Sequence, residues 1–511
     1  MLRQALPAFL LLGLCFSCAP AQKSETPSGS AVILDHPNIV FLYLDDLGYG
    51  DVSAYGQTTL LTPHMDLLAQ GGIRFTNGYA SSATCTPSRY ALLTGIYPWR
   101  NREAKILPGT APLIIDTSRT TVASMLSAAG YRTGIVGKWH LGLGTGDVDW
   151  NERVSPGPNE VGFDYSYILA ATQDRVPTVY LENGRVVNLD PEDPIEVSYE
   201  ENFPGEPTGV ENPELVTMKW HHGHNNSIVN GIPRIGFMTG GESAKWSDVD
   251  MADHFLARAR DFVSAGDDRP FFLYYALQQP HVPRTPHPRF VGTSGMGPRG
   301  DAIVEADWCI GQLVQTLRSE GLLQNTLIVL SSDNGPVLND GYYDQAVEKL
   351  GDHEPAGSLR GGKYSLYEAG TRVPFITYWP GVIAPGVSDA LVSQLDLLPS
   401  LAELIGTDIE HTDGQNLLPA FLSQSETGRE ELVIEATGRT AFRRGDWLLI
   451  PPYPGEPVSE HVNIEVGKGP DYQLFDLSQD IGQENNLAPH EPAMLEEMKA
   501  AFAAVREAEM K

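Results

Sequence analysis

The stretch NIVFLYLDDLGYGD, residues 38–51, runs apolar from Ile39 to Leu44, stops abruptly in two carboxylates, Asp45 and Asp46, and then turns through its glycines. A short continuous run of β-branched and aromatic residues bounded by turn residues reads as a strand buried on both faces. The same form recurs in YRTGIVGKWH (131–140), PFFLYYALQQPH (270–281), NTLIVLSSDNG (325–335) and RVPFITYWPG (372–381). Helical patterns such as TVASMLSAAG (121–130) and AIVEADWCIGQLVQTLRSEG (302–321) lie between them. This alternation predicts an α/β fold, a large mostly parallel sheet sandwiched by helices. In such sheets ligands collect beyond the carboxyl ends of the strands. Asp45 and Asp46, Lys138 and His140, His281, and Asp333 and Asn334 all fall just past predicted strand ends, so they are expected to converge on one edge.

From about Val154 to Gly241 periodicity gives way to Gly, Pro, Asn and His, and the aromatics of this long irregular stretch favour a functional role. A second unit begins after QLDLLPSLAELIG (394–406) and the turn-rich TDIEHTDGQN (407–416). It holds ELVIEATGRTAFRRGDWLLI (431–450), a hairpin-like YQLFDLSQDIGQENNLA (472–488) and a closing helical pattern over 491–510, read as a smaller C-terminal antiparallel sheet plus helix. The expected division is a main domain over 36–408 and a C-terminal α+β subdomain over 409–511.

The opening MLRQALPAFLLLGLCFSCAPAQ (1–22) pairs Arg3 with an apolar core from Ala5 to Phe16 and small residues near a cut, the pattern of an export signal over 1–21. Cleavage after Ala21 and a cut before a lipid-bearing Cys18 are both open readings. Residues 22–35 form a polar tether, and no later apolar run nears the roughly 20 residues of a membrane span. The expectation is an exported protein, periplasmic or tethered as a lipoprotein. With 65 acidic against 35 basic side chains the net charge is -30, which argues against nucleic acid as a partner. An anionic ligand would need local positive charge gathered in one pocket.

Of the four cysteines, Cys15 and Cys18 lie in the leader, leaving Cys85 and Cys309. Cys309 sits in an amphipathic helical pattern and reads as a buried small hydrophobe, with a Cys85–Cys309 disulfide the less favoured alternative. Asp45, Asp46, Asp333 and Asn334 offer only oxygen donors, which suit a hard cation such as calcium or magnesium rather than zinc. Lys138, His140, Lys363 in a glycine-rich loop, and Arg89 would supply the missing positive field. Any one of these groups is more often a solvated or core residue; their shared placement at strand ends and tight turns is what favours chemistry. In CTPSRYALLTG (85–95), Pro87 suits a helix start, so Cys85 would lie at its positive end. A thiolate nucleophile is one reading, but oxygen-rich metal sites rarely recruit thiolates.

CTPSRYALLTG resembles the sulfatase signature C-x-P-x-R with its downstream T-G. In order along the chain, LDDLGYGD, TPHMDLLAQGGIRFTNGYA, GKWHLG, QQPHVP, SSDNG, LRGGKYSLYEAGTRVPFI and LFDLSQDIGQENNLA are similar to the other blocks of that formylglycine-dependent, alkaline-phosphatase-like family. The resemblance implies that a maturation enzyme oxidises Cys85 to formylglycine, and that Asp45, Asp46, Asp333 and Asn334 with the modified Cys85 bind one calcium ion. It further implies that Arg89 and Lys138 hold the formylglycine, and that His140, His281 and Lys363 complete the sulfate pocket. In that scheme His281, with Lys363, protonates the departing oxygen, and His140 takes the proton that lets sulfate leave.

Residues 156–199 and 221–241 resemble a branch of carbohydrate sulfatases that remove 6-sulfate from galactose or N-acetylgalactosamine. On that resemblance Asp174, Arg175, His221 and His224 are candidates for gripping a sulfated carbohydrate, with Thr172 near the sulfate. Each could equally satisfy backbone groups of an irregular loop. His353 is a weak candidate for the rim, and His36, His64 and His411 are expected to be structural or exposed. The rival readings are a phosphatase or phosphonate hydrolase on the same scaffold, and a non-catalytic surface protein that captures sulfated glycans.

Overall fold

A computed structural model describes Met1, residues 36–56 and 59–508, and Met510. The leader over 1–21 with Cys18 and the tether over 22–35 therefore lie outside the described residues, Met1 apart. The described residues from His36 onward form one compact unit. Among the described residues no helix is long and apolar enough to cross a membrane.

The run that opens the chain's folded part is the strand Asn38–Leu44, and all seven of its residues are buried. Its odd residues Ile39, Phe41 and Tyr43 enter one apolar cluster with the helices Cys85–Thr94, Val122–Ala128 and Leu397–Ile405. Its even residues Val40, Leu42 and Leu44 enter another with the helices Pro63–Gly71, Met251–Val263 and Gly297–Ser319. Side chains alternate across a strand, so a strand covered on both faces must be apolar at every position.

Ten strands form the sheet. Its middle is a run of five parallel strands in the order Thr326–Ser332, Asn38–Leu44, Phe271–Ala276, Arg132–Lys138 and Tyr165–Leu169. Beyond Thr326–Ser332 comes the antiparallel Phe375–Tyr378, then Ile73–Tyr79, which again points with the central five, then Gly386–Ser393. Beyond Tyr165–Leu169 the short strands Tyr180–Glu182 and Arg185–Val186 run antiparallel. Ile73–Tyr79 alternates buried and half-buried residues, a pattern weaker than the continuous apolar runs and not anticipated as a strand.

The stretch over 154–241 is less irregular than its composition suggests, carrying several strands of two to five residues. The second sheet is antiparallel, in the order Glu431–Ala436, Arg439–Arg444, Trp447–Ile450 and Gln473–Asp476, with the helix Pro492–Glu507 contributing Met498 to its core. The hairpin expected over 472–488 is a correction: only Gln473–Asp476 is a strand there, pairing with Trp447–Ile450. The residues beyond it are tied as a loop, with Asp480 accepting from the backbone of Glu484 and Asn485.

Candidate active site

All five central strands deliver candidate residues at the same edge. Asp45 and Asp46 follow Leu44, Asp333 and Asn334 follow Ser332, His281 lies five residues past Ala276, Lys138 ends its strand, and Thr172 to Arg175 follow Leu169. Ile73–Tyr79 points the same way and leads into the helix Cys85–Thr94. That helix starts from Thr84 in extended conformation and ends at Gly95, whose φ of 66° lets its N–H return to Ala91 O. Before Lys138, a Cβ on Gly137 would stand 2.0 Å from Ala276 O, so glycine permits the close strand approach there. Three non-glycine residues at this edge hold positive φ: Asp46 at 64°, His140 at 55° and Tyr364 at 73°. Backbone strain of this kind concentrates at functional sites.

The acids and cations interlock in full burial. Lys138 Nζ stands 2.5 Å from Asp45 Oδ2 and 3.8 Å from Asp333 Oδ2. Arg89 grips Asp333 Oδ2 through Nη2 at 2.8 Å and Nε at 3.0 Å. Lys363 Nζ bridges Asp46 Oδ2 at 2.9 Å and Asp340 Oδ2 at 2.8 Å. Ligand atoms of Asp45, Cys85 and Asp333 fall within 4.8 Å of one another. Burial, then the neighbouring Asp333 charge, pushes the Asp45 carboxyl well above the usual range despite Lys138. Asp45 Oδ1 and Asn334 Oδ1 are buried oxygens with no partner among the described residues. Such orphans are costly unless something occupies the space between them. An all-oxygen set with two orphaned acceptors fits a hard divalent cation.

Cys85 and Cys309 are both free and buried, so neither is held in a disulfide. Burial pushes the Cys85 thiol up, and the Asp333 and Asp45 charges offset the help of Lys138 and Lys363. An unmodified thiol here is a poor nucleophile, which counts against the thiolate reading.

Two histidines face the site as neutral rings. His140 Nε2 donates to Leu107 O at 3.0 Å, and Nδ1 is buried without a partner among the described residues. Burial, then Lys138 and Arg175, holds its pKa well below the usual imidazole value. His281 Nδ1 donates to Val282 O at 2.7 Å, which leaves Nε2, 3.9 Å from Asp46 Oδ2, as the ring atom aimed inward. Burial, then Lys363 and Lys138, depresses it as well. Burial opposes the charge on Lys363, yet Asp340 and Asp46 hold its pKa well above the usual lysine value.

Thr172, Asp174, Arg175 and His224 form one cluster. Thr172 Oγ1 donates to Asp174 Oδ1, Arg175 Nη1 stands 2.9 Å from the same oxygen, and His224 Nε2 stands 2.8 Å from Oδ2. Burial would raise Asp174, but Arg175, His224 and His281 together hold it well below the usual range. His221 stands apart from this cluster, its Nδ1 2.8 Å from His222 Nδ1 and its ring edge-on to Tyr343. His353 does not line the rim: it is buried, with Nε2 2.9 Å from Asp51 Oδ1 and Nδ1 2.7 Å from Thr59 Oγ1. His64 is packed against Gly311, while His411 and His36 are exposed. Asp340 was not anticipated; it lies in an irregular loop, and its only sequence signal is the polar turn LNDG after SSDNG.

A buried set of oxygen donors and fixed cations at the carboxyl edge of this sheet defines a hydrolase of anionic esters. Residues 37–407 match the family model described as Sulfatase, and the chain belongs to that family and is a sulfatase enzyme. It is 48% identical to an N-acetylgalactosamine-6-O-sulfatase of Bacteroides thetaiotaomicron over 97% of this chain and 98% of that protein. It is 33% identical to human arylsulfatase A over 88% of this chain and 83% of that one. A solved sulfatase structure, described under the metabolism of multiple glycosaminoglycans by Bacteroides thetaiotaomicron, superposes with a TM-score of 0.92 at 49% identity, covering 93% of this chain and 100% of that one.

Proposed function

We propose that the protein hydrolyses a carbohydrate O-sulfate, with 6-sulfated galactose or N-acetylgalactosamine in a glycosaminoglycan or algal galactan as substrate. The observation that carries the reaction is the buried Cys85 among Asp45, Asp333, Lys138 and Arg89, where a thiol is raised and an oxygen-binding cation fits. The sugar is supported by the name of the relative at 48% identity.

Asp45, Asp46, Asp333 and Asn334, with Cys85 converted to formylglycine, would hold one calcium ion. When bound, these two groups supply a hydroxyl that ionises near neutrality on a carbon bearing a second hydroxyl. The chain's own residues do the rest. Arg89 and Lys138 fix the acids and the modified side chain. Lys363 and Arg89 set positive charge where the equatorial sulfate oxygens gain negative charge. His281 Nε2, which carries no hydrogen in the neutral ring, would take up a proton as the anionic ester binds and pass it to the leaving sugar oxygen, with the protonated Lys363 beside it. His140 Nδ1, kept unprotonated by the Nε2–H bond to Leu107, accepts the proton whose loss expels sulfate. Asp174, Arg175, Thr172, His221 and His224 would grip sugar hydroxyls and orient the ester.

The reading includes export by the leader to the periplasm or as a lipoprotein on Cys18, oxidation of Cys85 by a formylglycine-generating enzyme, and a catalytic domain over 36–408 followed by the subdomain over 409–511. Assay of 3-, 4- and 6-sulfated galactose and N-acetylgalactosamine beside matched phosphate esters tests it. Release of sulfate from the 6-position is expected; preferred cleavage of phosphate, or of another position, contradicts it.

A further inference from the structure

A cavity of about 300 Å³ opens beside Lys363, walled by His222, Asp340, Tyr364, Arg439, His461 and Lys468. It shares a wall with the catalytic site. Asp340 Oδ2 accepts from Lys363 Nζ at 2.8 Å, and Tyr364, next in chain, turns through a positive φ to bring its OH 3.3 Å from Asp340 Oδ1. The Asp340–Tyr364 pair is thus what stands between Lys363 and this cavity.

The cavity's charge is unlike that of the molecule. Lys468 makes no ion pair or hydrogen bond among the described residues, and its Cδ, Cε and Nζ lie over Gly455. Arg439 donates to three neutral oxygens, Val466 O at 2.6 Å, Tyr364 O at 2.9 Å and Thr437 Oγ1 at 3.2 Å, with no carboxylate in ion-pair contact. Of the two acids that line it, Asp340 shares Lys363 with Asp46, and Glu456 is exposed. In a chain of net charge -30, Arg439 and Lys468 are two cations on one concave wall with no ion pair among the described residues, and Lys468 is a point at which an anion can be met. His222 and His461, stacked at 4.5 Å with a 14° interplanar angle, supply flat polar rings on the same wall.

We propose that this cavity is a second subsite, seating a negatively charged substituent, carboxylate or sulfate, on the sugar that adjoins the sulfated one. The inference rests on the carbohydrate-sulfatase reading above and adds to it the place and the residue, Lys468, that meet the charge of the neighbouring sugar. Arg439 is committed to the Tyr364 and Val466 carbonyls and shapes the wall; Lys468 is the group free to meet the ligand.

The test compares kcat/KM on four substrates in the matured enzyme and in its Lys468→Ala and Lys468→Arg variants: the 6-sulfated monosaccharide, and the same unit linked to a neutral hexose, to a hexuronate, or to a hexose bearing a second sulfate. Lys468→Ala is expected to lose about tenfold on one or both charged oligosaccharides, almost wholly in KM, and less than about twofold on the other two substrates. Lys468→Arg should restore most of that loss, and the substrate affected tells carboxylate from sulfate. Equal losses on charged and neutral substrates, or no loss on either charged one, overturn the subsite. Failure of the unaltered enzyme to desulfate the monosaccharide and all three oligosaccharides overturns the sulfatase substrate reading instead.

Discussion

Asn334 Nδ2 donates to Asp46 Oδ1 over 2.7 Å, and Asn334 Oδ1, like Asp45 Oδ1, is left buried with no partner among the described residues. Calcium is therefore expected to stabilise the fold, since a ligand bound only by the native state adds about 2.7 kcal/mol at a hundredfold excess over its Kd. Thermal unfolding with chelator and then with added calcium checks this: the midpoint should rise by a few degrees on calcium. Asn334→Ala should need about tenfold more calcium for the same rise.

Asp51 and Arg299 form a buried bidentate pair, at 2.8 Å and 2.6 Å, that braces the turn after Asp45 and Asp46. Asp51 Oδ2 also accepts from Gly48 N, and Arg299 Nε reaches Val337 O in the loop after Asn334. Arg299→Ala leaves Asp51 charged and buried, which should cost about 3–5 kcal/mol in denaturant unfolding. His353 alone cannot replace the lost fork, so Asp51→Asn combined with Arg299→Met should be more stable than Arg299→Ala.

Glu305 is buried, accepting from His287 N at 2.9 Å and Gln279 Nε2 at 3.2 Å, and burial pushes its pKa up to about 7. A carboxyl raised above its unfolded value contributes stability below that value, near pH 4.5, and loses it as pH rises through about 7. Glu305→Gln removes the cost of ionising the buried group. The variant's stability relative to the parent should improve by about 2–3 kcal/mol between pH 4.5 and pH 8. Unfolding curves at the two pH values measure the difference, and an unchanged gap would count against a neutral, buried Glu305.

Cys85 carries no load-sharing bond, being free and without a disulfide partner. Cys85→Ala should abolish sulfate release while shifting the unfolding midpoint by no more than a surface substitution would, about 0.5 kcal/mol beyond its small cavity term. Retained turnover would exclude Cys85 as the source of the nucleophile.

Much of this was legible in the chain because the fold puts chemistry where pattern changes. The fully buried strands Asn38–Leu44, Phe271–Ala276 and Thr326–Ser332 carry unbroken apolar runs, and each leads into candidate residues, Asp45, His281 and Asp333. Ile73–Tyr79 was hidden because three of its seven residues are only partly buried, so its composition reads as a loop. Asp340 and the inward, paired position of His353 were hidden for another reason. Their roles arise from contacts between loops that carry no period, His353 to Asp51 across 302 residues and Asp340 to Lys363 across 23. The hairpin over 472–488 failed because alternation in LFDLSQDIG resembles a strand pair, whereas Asp480 closes that segment on itself.

The most direct measurement is the mass of the peptide containing Cys85, taken from protein purified in active form from its own host. The account predicts an aldehyde at that position in proportion to the sulfate-releasing activity, with reduction by borohydride abolishing both together. A fully active preparation whose peptide retains the intact thiol would contradict it.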